Sequence, residues 1–353
     1  MKILLVGSDH VWSFERTFYK YLEALQPGIE LFPAQNHFYT WYNRSILNKI
    51  VYRAGLSGII PAINKKLREM VAQSGPDAVL IFKGMEILPE TLQWMRDRQI
   101  FLANYNPDNP FIFSGYGSGN ANVTRSIPLY DLHFTYNLAV KARLEEEFKV
   151  STAFLPFGFD VSNEVYEAGL QQEEVGRICF LGNPDTERAA VIKALLEKGI
   201  AVDVYGIGWE KFGGHGNLRI CAAVFGDDFW RTLYRYRVQL NLMRAHNLQS
   251  HNMRSFEIPG IGGIQLAPDT PEHRMFFEPG REIFLFRTVD ECAEQVRRLI
   301  ELPAAEAMEI RQRARKRSLD SGYSYRDRAQ TVLTTIQQYR QQSLKGSILH
   351  ATI

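Results

Sequence analysis

Cysteine is scarce in this chain of 353 residues: there are three, Cys179, Cys221 and Cys292. They stand alone, with no Cys-x-x-Cys pair and no Cys/His cluster, so neither a disulfide scaffold nor a zinc site is supported. Each is expected as a buried small hydrophobe in a reducing compartment. Long apolar runs are missing as well. No stretch approaches the roughly 20 residues needed to span a bilayer. The opening MKILLVGSDHVW has only about five consecutive apolar residues before Ser8 and Asp9, against roughly seven or more in the core of a secretory signal. Charge imbalance is absent too: 41 Lys and Arg against 39 Asp and Glu leave a formal net charge of +2, which argues against a general nucleic-acid binder. No Walker or GxGxxG phosphate loop occurs. The run Gly115, Gly117, Gly119 lacks that spacing and reads as a mobile loop. A cytoplasmic protein, peripheral at a membrane or free of it, is expected, and one further absence bears on the membrane. Leu31 to Arg68 contains no Asp or Glu but has Arg44, Lys49, Arg53, Lys65, Lys66 and Arg68, interleaved with Phe32, Phe38, Tyr39, Trp41, Tyr42 and Tyr52. Basic charge with aromatics suits an anionic membrane surface or an anionic acceptor. It suits equally a solvated helical face over aromatic core contacts.

What is present begins with length. A chain of this size exceeds one compact core, so two domains are the default. Ile3 to Val6 is an apolar strand ending at Gly7, and Phe14 to Leu25 has helical spacing, which opens a doubly wound domain. Gly7 to His10 then lies at a strand's carboxyl end, where ligands of such sheets bind. His10 is a candidate general base, or a loop histidine bonded to Asp9. Further strands are expected at Asp77–Phe82, Ile100–Ala103, Leu132–Tyr136 and Thr152–Leu155, with a helix from Pro89 to Arg98. The loop Asn104 to Pro110 carries Asp108 at another carboxyl end, and it is also a strong turn sequence. Val161 to Glu174 is polar and reads as a linker. A second strand–helix series follows. Ile178 to Leu181 leads through Gly182-Asn183 to a helix near Asp185 and Arg188. Ala201 to Tyr205 leads to Gly206-Ile-Gly208-Trp209, and Gln239 to Met243 is the next strand. Asp227-Asp228 reads as a helix cap. Arg311, Arg313, Arg315, Lys316 and Arg317 point several ways on one helix and are expected in solvent. A last helix should run from Arg328 to Gln342, with Ser343 onward frayed.

The stretch from Gln249 to Phe286 organises the second half. Ser250 and Asn252 are good caps for a helix with apolar Met253, Phe256 and Ile258. Gly260, Gly262 and Gly263 break it before a strand at Ile264–Ala267. His251, Arg254 and Glu257 fall on its first turns. A helix N-terminus attracts phosphate, and Arg254 adds a bidentate positive charge. Glu257, three residues on, shares that face and suits the paired hydroxyls of a ribose. The plainer alternative is a surface ion pair between Arg254 and Glu257.

The string NMRSFEIPGIGGIQLAPDTPEHRMFFEPGREIFLF resembles the C-terminal half of the CgeB-like (spore-maturation type) glycosyltransferases, which belong with the group 1 glycosyltransferases. The matching positions are Asn252, Arg254, Glu257, Gly262, Gly263, Thr270-Pro271-Glu272, Gly280 and Glu282. Pro156–Asp160, the segment from Phe180 to Arg188, VYGIGW at 204–209 and the segment around Tyr325 are similar to family elements as well. The resemblance covers roughly 175 to 335 strongly and the first half loosely. It implies an α/β, GT-B fold: two Rossmann-like doubly wound domains, 1–160 for the acceptor and 161–329 for the nucleotide-sugar, with the helix from about 330 packing back on the first and the donor in a cleft between them. It implies a metal-independent transfer of a sugar from a nucleotide-diphosphate donor to a hydroxyl acceptor, with no cofactor. Donor-binding residues would be Gly182, Asn183, Arg188, Gly206, Gly208, His251, Asn252, Met253, Arg254 and Glu257. Arg188 would reach the diphosphate or else pair with Asp185, and Ile220–Phe225 would border the base. Arg254 would act in catalysis, with His10 or Asp108 as base if the reaction inverts. Gln249 departs from the glutamate that many group 1 enzymes hold against the donor sugar. That departure keeps a non-catalytic nucleotide-sugar-binding protein in view. An epimerase of the same fold is the other alternative, for which the chain has few acid/base side chains.

Overall fold

The computed structural model describes residues 1–113, 118–244 and 249–351. Gly115 and Gly117 of the expected mobile loop lie outside them. The chain forms two compact units, Met1–Pro156 with Arg326–Ile353, and Phe157–Tyr325.

The first unit is a six-stranded parallel sheet: β1 (Ile3–Val6), β2 (Glu30–Phe32), β3 (Ala78–Phe82), β4 (Phe101–Asn106), β5 (Leu132–Thr135) and β6 (Thr152–Phe154), in the order β2-β1-β3-β4-β5-β6. Strands β1 and β3 at its centre are apolar throughout and wholly buried, as strands covered on both faces are. Helices α1 (Phe14–Leu25), α2 (Ala34–Tyr42), α3 (Ile46–Arg53), α4 (Ile59–Ser74), α5 (Pro89–Arg96), α6 (Ala121–Ser126) and α7 (Leu138–Phe148) accompany it. Helix α1 starts where Ser13 accepts from the Arg16 backbone N–H, and it buries Phe18 and Leu22. Val6 pairs with Ile81 across β1 and β3, so Gly7 and Lys83 leave the sheet at one edge.

The second unit repeats the plan. Helix α8 (Asn163–Leu170) precedes β7 (Val175–Leu181), α9 (Thr186–Glu197), β8 (Val202–Tyr205), β9 (Leu218–Cys221), α10 (Gly226–Arg235) and β10 (Tyr236–Leu240). Then come α11 (Arg254–Gly260), β11 (Gln265–Pro268), α12 (Pro271–Phe276), β12 (Phe284–Phe286), α13 (Val289–Ile300) and α14 (Ala304–Asp320). The sheet is parallel, in the order β12-β11-β10-β7-β8-β9. The long α15 (Tyr325–Ala351) runs into the first unit's share of the chain. The expected α/β architecture of two doubly wound sheets is what forms.

Three local expectations are corrected. Residues 163–170 are not linker but helix: Ser162 caps α8 by accepting from the Val165 N–H, and Val165 is buried. The basic run of α14 is not all in solvent. Arg311 and Arg315 are buried; Arg311 donates to the Tyr234 and Tyr236 carbonyls, each at 2.7 Å, and Arg315 to the Gly260 carbonyl at 2.6 Å. They sit four residues apart on the face that also buries Ala307, Ile310 and Ala314. Helical structure continues past Ser343 to Ala351 where fraying was expected.

Candidate active site

In a parallel sheet every strand's carboxyl end lies on one edge, and ligands bind where the strand order reverses. In the second unit that point falls between β7 and β10. Arg188 joins the two strand ends: its Nη1 donates to the Asn183 carbonyl at 3.1 Å and its Nη2 to the Leu242 carbonyl at 3.0 Å. Arg254 also reaches the end of β7, donating from Nε to the Leu181 carbonyl at 3.1 Å. Burial above all lowers the Arg188 pKa to about 10; Asp185 opposes this, and repulsion from Arg244 and Arg254 adds to it. Three guanidinium groups therefore share one field, with Asp185 and Glu257 as nearby counter-charges. Such a site attracts an anion. Arg244 was not singled out in the sequence; its signal was its place just past the end of β10.

Of the two readings of Arg188, the pairing with Asp185 is the one that forms, at 3.6 Å. Each of the Arg188 Nη groups spends one donor on a backbone carbonyl, so it fixes the loops while contributing charge. Gly182 and Gly206 explain why small residues stand there: a Cβ on Gly206 would lie 2.4 Å from the Gly182 carbonyl oxygen. Gly208 has φ +100, a conformation that favours glycine. Asn183 accepts from the Ile207 N–H at 2.9 Å, and the buried Trp209 donates to the Gly182 carbonyl at 2.8 Å. Ile220 lies in the edge strand β9, away from the reversal point.

Helix α11 is shorter than the sequence suggests. It begins at Arg254, and Met253 at its cap position makes no side-chain capping bond. Asn252 still serves the first turn, because its Oδ1 accepts from the Ser255 N–H at 3.2 Å. That N–H is thus unavailable to a phosphate. His251 lies before the helix, fully buried, with Nδ1 2.5 Å from the Glu272 carboxylate and Nε2 3.4 Å from the Phe157 N–H. It braces the segment rather than presenting an edge to a donor. Behind Arg254 runs a buried polar chain. The Pro268 carbonyl can only accept, so His273 Nδ1 carries the proton to it at 2.8 Å. His273 Nε2 then accepts from Ser255 Oγ at 2.8 Å, and Ser255 Oγ accepts from Asn241 Nδ2 at 3.1 Å. Burial lowers the His273 pKa to about 4, which keeps this tautomer neutral. Asn252 Nδ2 closes the chain on Asn241 Oδ1 at 2.8 Å.

Arg254 and Glu257 are paired through Arg254 Nη1, but not at an open surface. Glu257 is buried, and burial raises its pKa against the opposing pull of Arg254. The guanidinium lies 4.4 Å from the Phe229 ring centroid, which fixes its plane. Gln249 is exposed.

In the first unit the order reverses between β1 and β3. Lys83, directly after β3, has φ +57, rare for a residue with a side chain. Its ammonium is 2.5 Å from the Asp108 carboxylate. Asp108 accordingly has a fixed partner, and its loop closes by donation from the Asp108 N–H to Asn106 Oδ1 at 3.0 Å. His10 is exposed, and its Nδ1 accepts from the Trp12 N–H at 3.3 Å. Asp9 pairs instead with Arg16 at 2.8 Å. Two buried carboxyl groups missed in the sequence, Glu15 and Glu86, also feel Lys83.

Burial pushes Glu86 up to about 7, with Glu15 adding repulsion and its own backbone N–H and Lys83 opposing. An acid raised in this way holds its proton longer when folded. Its contribution is full below the ordinary value of 4.5 and is lost by about 7 as pH rises. Glu86→Gln, neutral at every pH, is expected to gain stability over wild type across that window and to keep a constant advantage above it. Calorimetric melting across the range checks this; parallel curves would refute the burial account.

Residues 188–334 match the family described as glycosyl transferase-like. The match spans Arg188, Arg244, Arg254 and Glu257. Solved structures share the whole architecture at low identity. Sucrose-phosphate synthase from Thermosynechococcus elongatus is 11% identical, with TM-score 0.70, over 98% of this chain and 100% of that one. A UDP-forming α,α-trehalose-phosphate synthase from Burkholderia xenovorans is 11% identical, with TM-score 0.65, over 96% and 99%. HepE from Anabaena, solved in complex with UDP, is 13% identical, with TM-score 0.61, over 96% and 100%. No curated protein matches in sequence. The fold is GT-B, and family and fold together support a glycosyltransferase. No helix among the described residues is long and apolar enough to cross a membrane.

Proposed function

We propose that the protein transfers a sugar from a nucleotide-diphosphate donor to a hydroxyl acceptor, with the donor held at the strand reversal of the second unit. The observation that carries this is that Arg188 and Arg254 both donate to backbone carbonyls around that point, at Asn183, Leu242 and Leu181, with the buried Glu257 three residues after Arg254. The arginine field suits a diphosphate, and Glu257 suits ribose hydroxyls. The leaving diphosphate gains charge as the glycosidic bond breaks, so Arg254 stabilises it there. This needs no metal or cofactor in the scheme. HepE, solved with UDP, supports a nucleotide donor.

On the acceptor side, Asp108 is oriented by Lys83, and His10 stands exposed in the neighbouring loop of the sheet edge. Either serves as base in an inverting reaction; a retaining reaction needs neither. The CgeB-like group remains the subfamily we favour, from the clamp motif. The basic stretch from Arg44 to Arg68 supports an acceptor at an anionic membrane surface, and with it a peripheral place at the inner face. The test is turnover: protein incubated with a panel of nucleotide-sugars should release nucleoside diphosphate faster when acceptor extract is added. Tight nucleotide-sugar binding without any release would favour a non-catalytic binding protein.

A further inference from the structure

Helix α3 buries none of its eight residues. Ile46 is 76% exposed, Leu47 67% and Ile50 58%, and Leu56 just beyond the helix is 79% exposed. At about 100° per residue these helical positions, with Val51, span an arc of about 140°. Tyr52 faces the other way and anchors the helix: its ring centroid lies 4.9 Å from that of Phe38 and 5.7 Å from that of Tyr42. Asn48 adds a hydrogen bond to the Trp41 carbonyl at 2.6 Å. The apolar arc is therefore held outward by its own fold. Lys49 and Arg53 lie along one margin of the arc, and Arg44 precedes it. No acid occurs between Glu30 and Glu69.

We infer that α3 is an interfacial anchor, whose arc of Ile46, Leu47 and Ile50 enters the apolar margin of an anionic bilayer. This rests on the anionic-surface reading of residues 44–68 and adds insertion to it. An apolar arc alone fits a second copy of the chain as well. Basic flanks without a compensating acid favour lipid, since two identical basic patches repel each other while anionic headgroups attract both. Charge would bring the unit to the surface, and the arc would hold it there once salt has screened the charge.

The test is flotation of the full chain with vesicles of phosphatidylcholine alone and with roughly one-third phosphatidylglycerol. Wild type is expected to float only with the anionic vesicles. Ile46→Gln, Leu47→Gln and Ile50→Gln together should lower binding at least about tenfold with an unchanged melting temperature, because no buried contact is lost. Leu47→Trp should give a blue-shifted emission on those vesicles that persists in high salt. Normal binding by the triple variant would overturn insertion while leaving surface attraction. No binding by wild type would overturn both. A lipid-free dimer of wild type that the triple variant dissolves would assign the arc to a second copy and overturn the anchor. Stabilisation by nucleoside diphosphates, followed in the same proteins, reports the donor site separately. Its loss in wild type would count against the proposed transfer reaction and not against the anchor.

Discussion

Arg254→Ala should lower turnover about 100- to 1000-fold, the usual effect of losing one preorganised donor to a developing anion. Its Nε is fixed on the Leu181 carbonyl and its plane lies against Phe229, so the side chain is already oriented before a donor arrives. The simple truncation has a confounding cost, because it leaves Glu257 as a buried carboxylate without its partner. Arg254→Ala combined with Glu257→Gln removes that imbalance. Single-turnover rates and melting temperatures of both proteins separate the two effects. On the catalytic account the double variant recovers stability but not rate. Arg254→Lys keeps the charge but loses the planar fork, and should recover part of the rate only. A folded double variant with near-normal single-turnover rate would take Arg254 out of the mechanism.

The second large effect is expected at Glu257. As the acceptor for the ribose hydroxyls, its removal should weaken nucleoside diphosphate binding by about 1.5–3 kcal/mol, the range for hydrogen bonds to a charged group. Glu257→Ala uncouples Arg254, which is partly exposed and can turn to water. The loss should therefore appear in affinity more than in stability. Titration calorimetry with the free nucleotide measures it. If affinity is unchanged while the melting temperature falls, Glu257 only orients Arg254, and the ribose needs another partner.

Much of this was legible in the sequence because local signals agreed. Phe14–Leu25 is a helix with the expected bounds, since Ser13 caps it and its apolar residues recur at helical spacing. Most strands announced themselves as short apolar runs, whereas β2 and β9 did not. The clamp's order of helix, glycines and strand also formed, although α11 begins only at Arg254. Asn252 and Arg254 are where their residue types suggest.

What failed had physical causes. The five basic residues were taken together as pointing several ways into solvent, yet Arg311 and Arg315, four apart, fall on the apolar stripe of Ala307, Ile310 and Ala314. The period carried more information than the charge. Polar composition made 163–170 look like a linker, where a serine cap, buried Val165 and Gly169 and the packing of Tyr166 on Tyr234 hold a helix. His251 looked available because it was placed on the first turn of the clamp helix; only tertiary packing brings Glu272 to it, 21 residues later. Arg244 gave only its place just past a strand, and Glu15 and Glu86 gave no local motif at all, since the strand order of each sheet brings them to their sites.

The central claim is that a nucleotide diphosphate binds at the reversal point of the second sheet. Hydrogen–deuterium exchange with a panel of nucleoside diphosphates tests it most directly. With a bound nucleotide near 100 times its dissociation constant, the protein should gain about 2.7 kcal/mol of stability. Protection should concentrate in peptides covering Gly182–Arg188, Gly206–Gly208 and Asn252–Glu257. Binding that instead protects the first unit alone, or no protection with any nucleotide of the panel, would contradict the account.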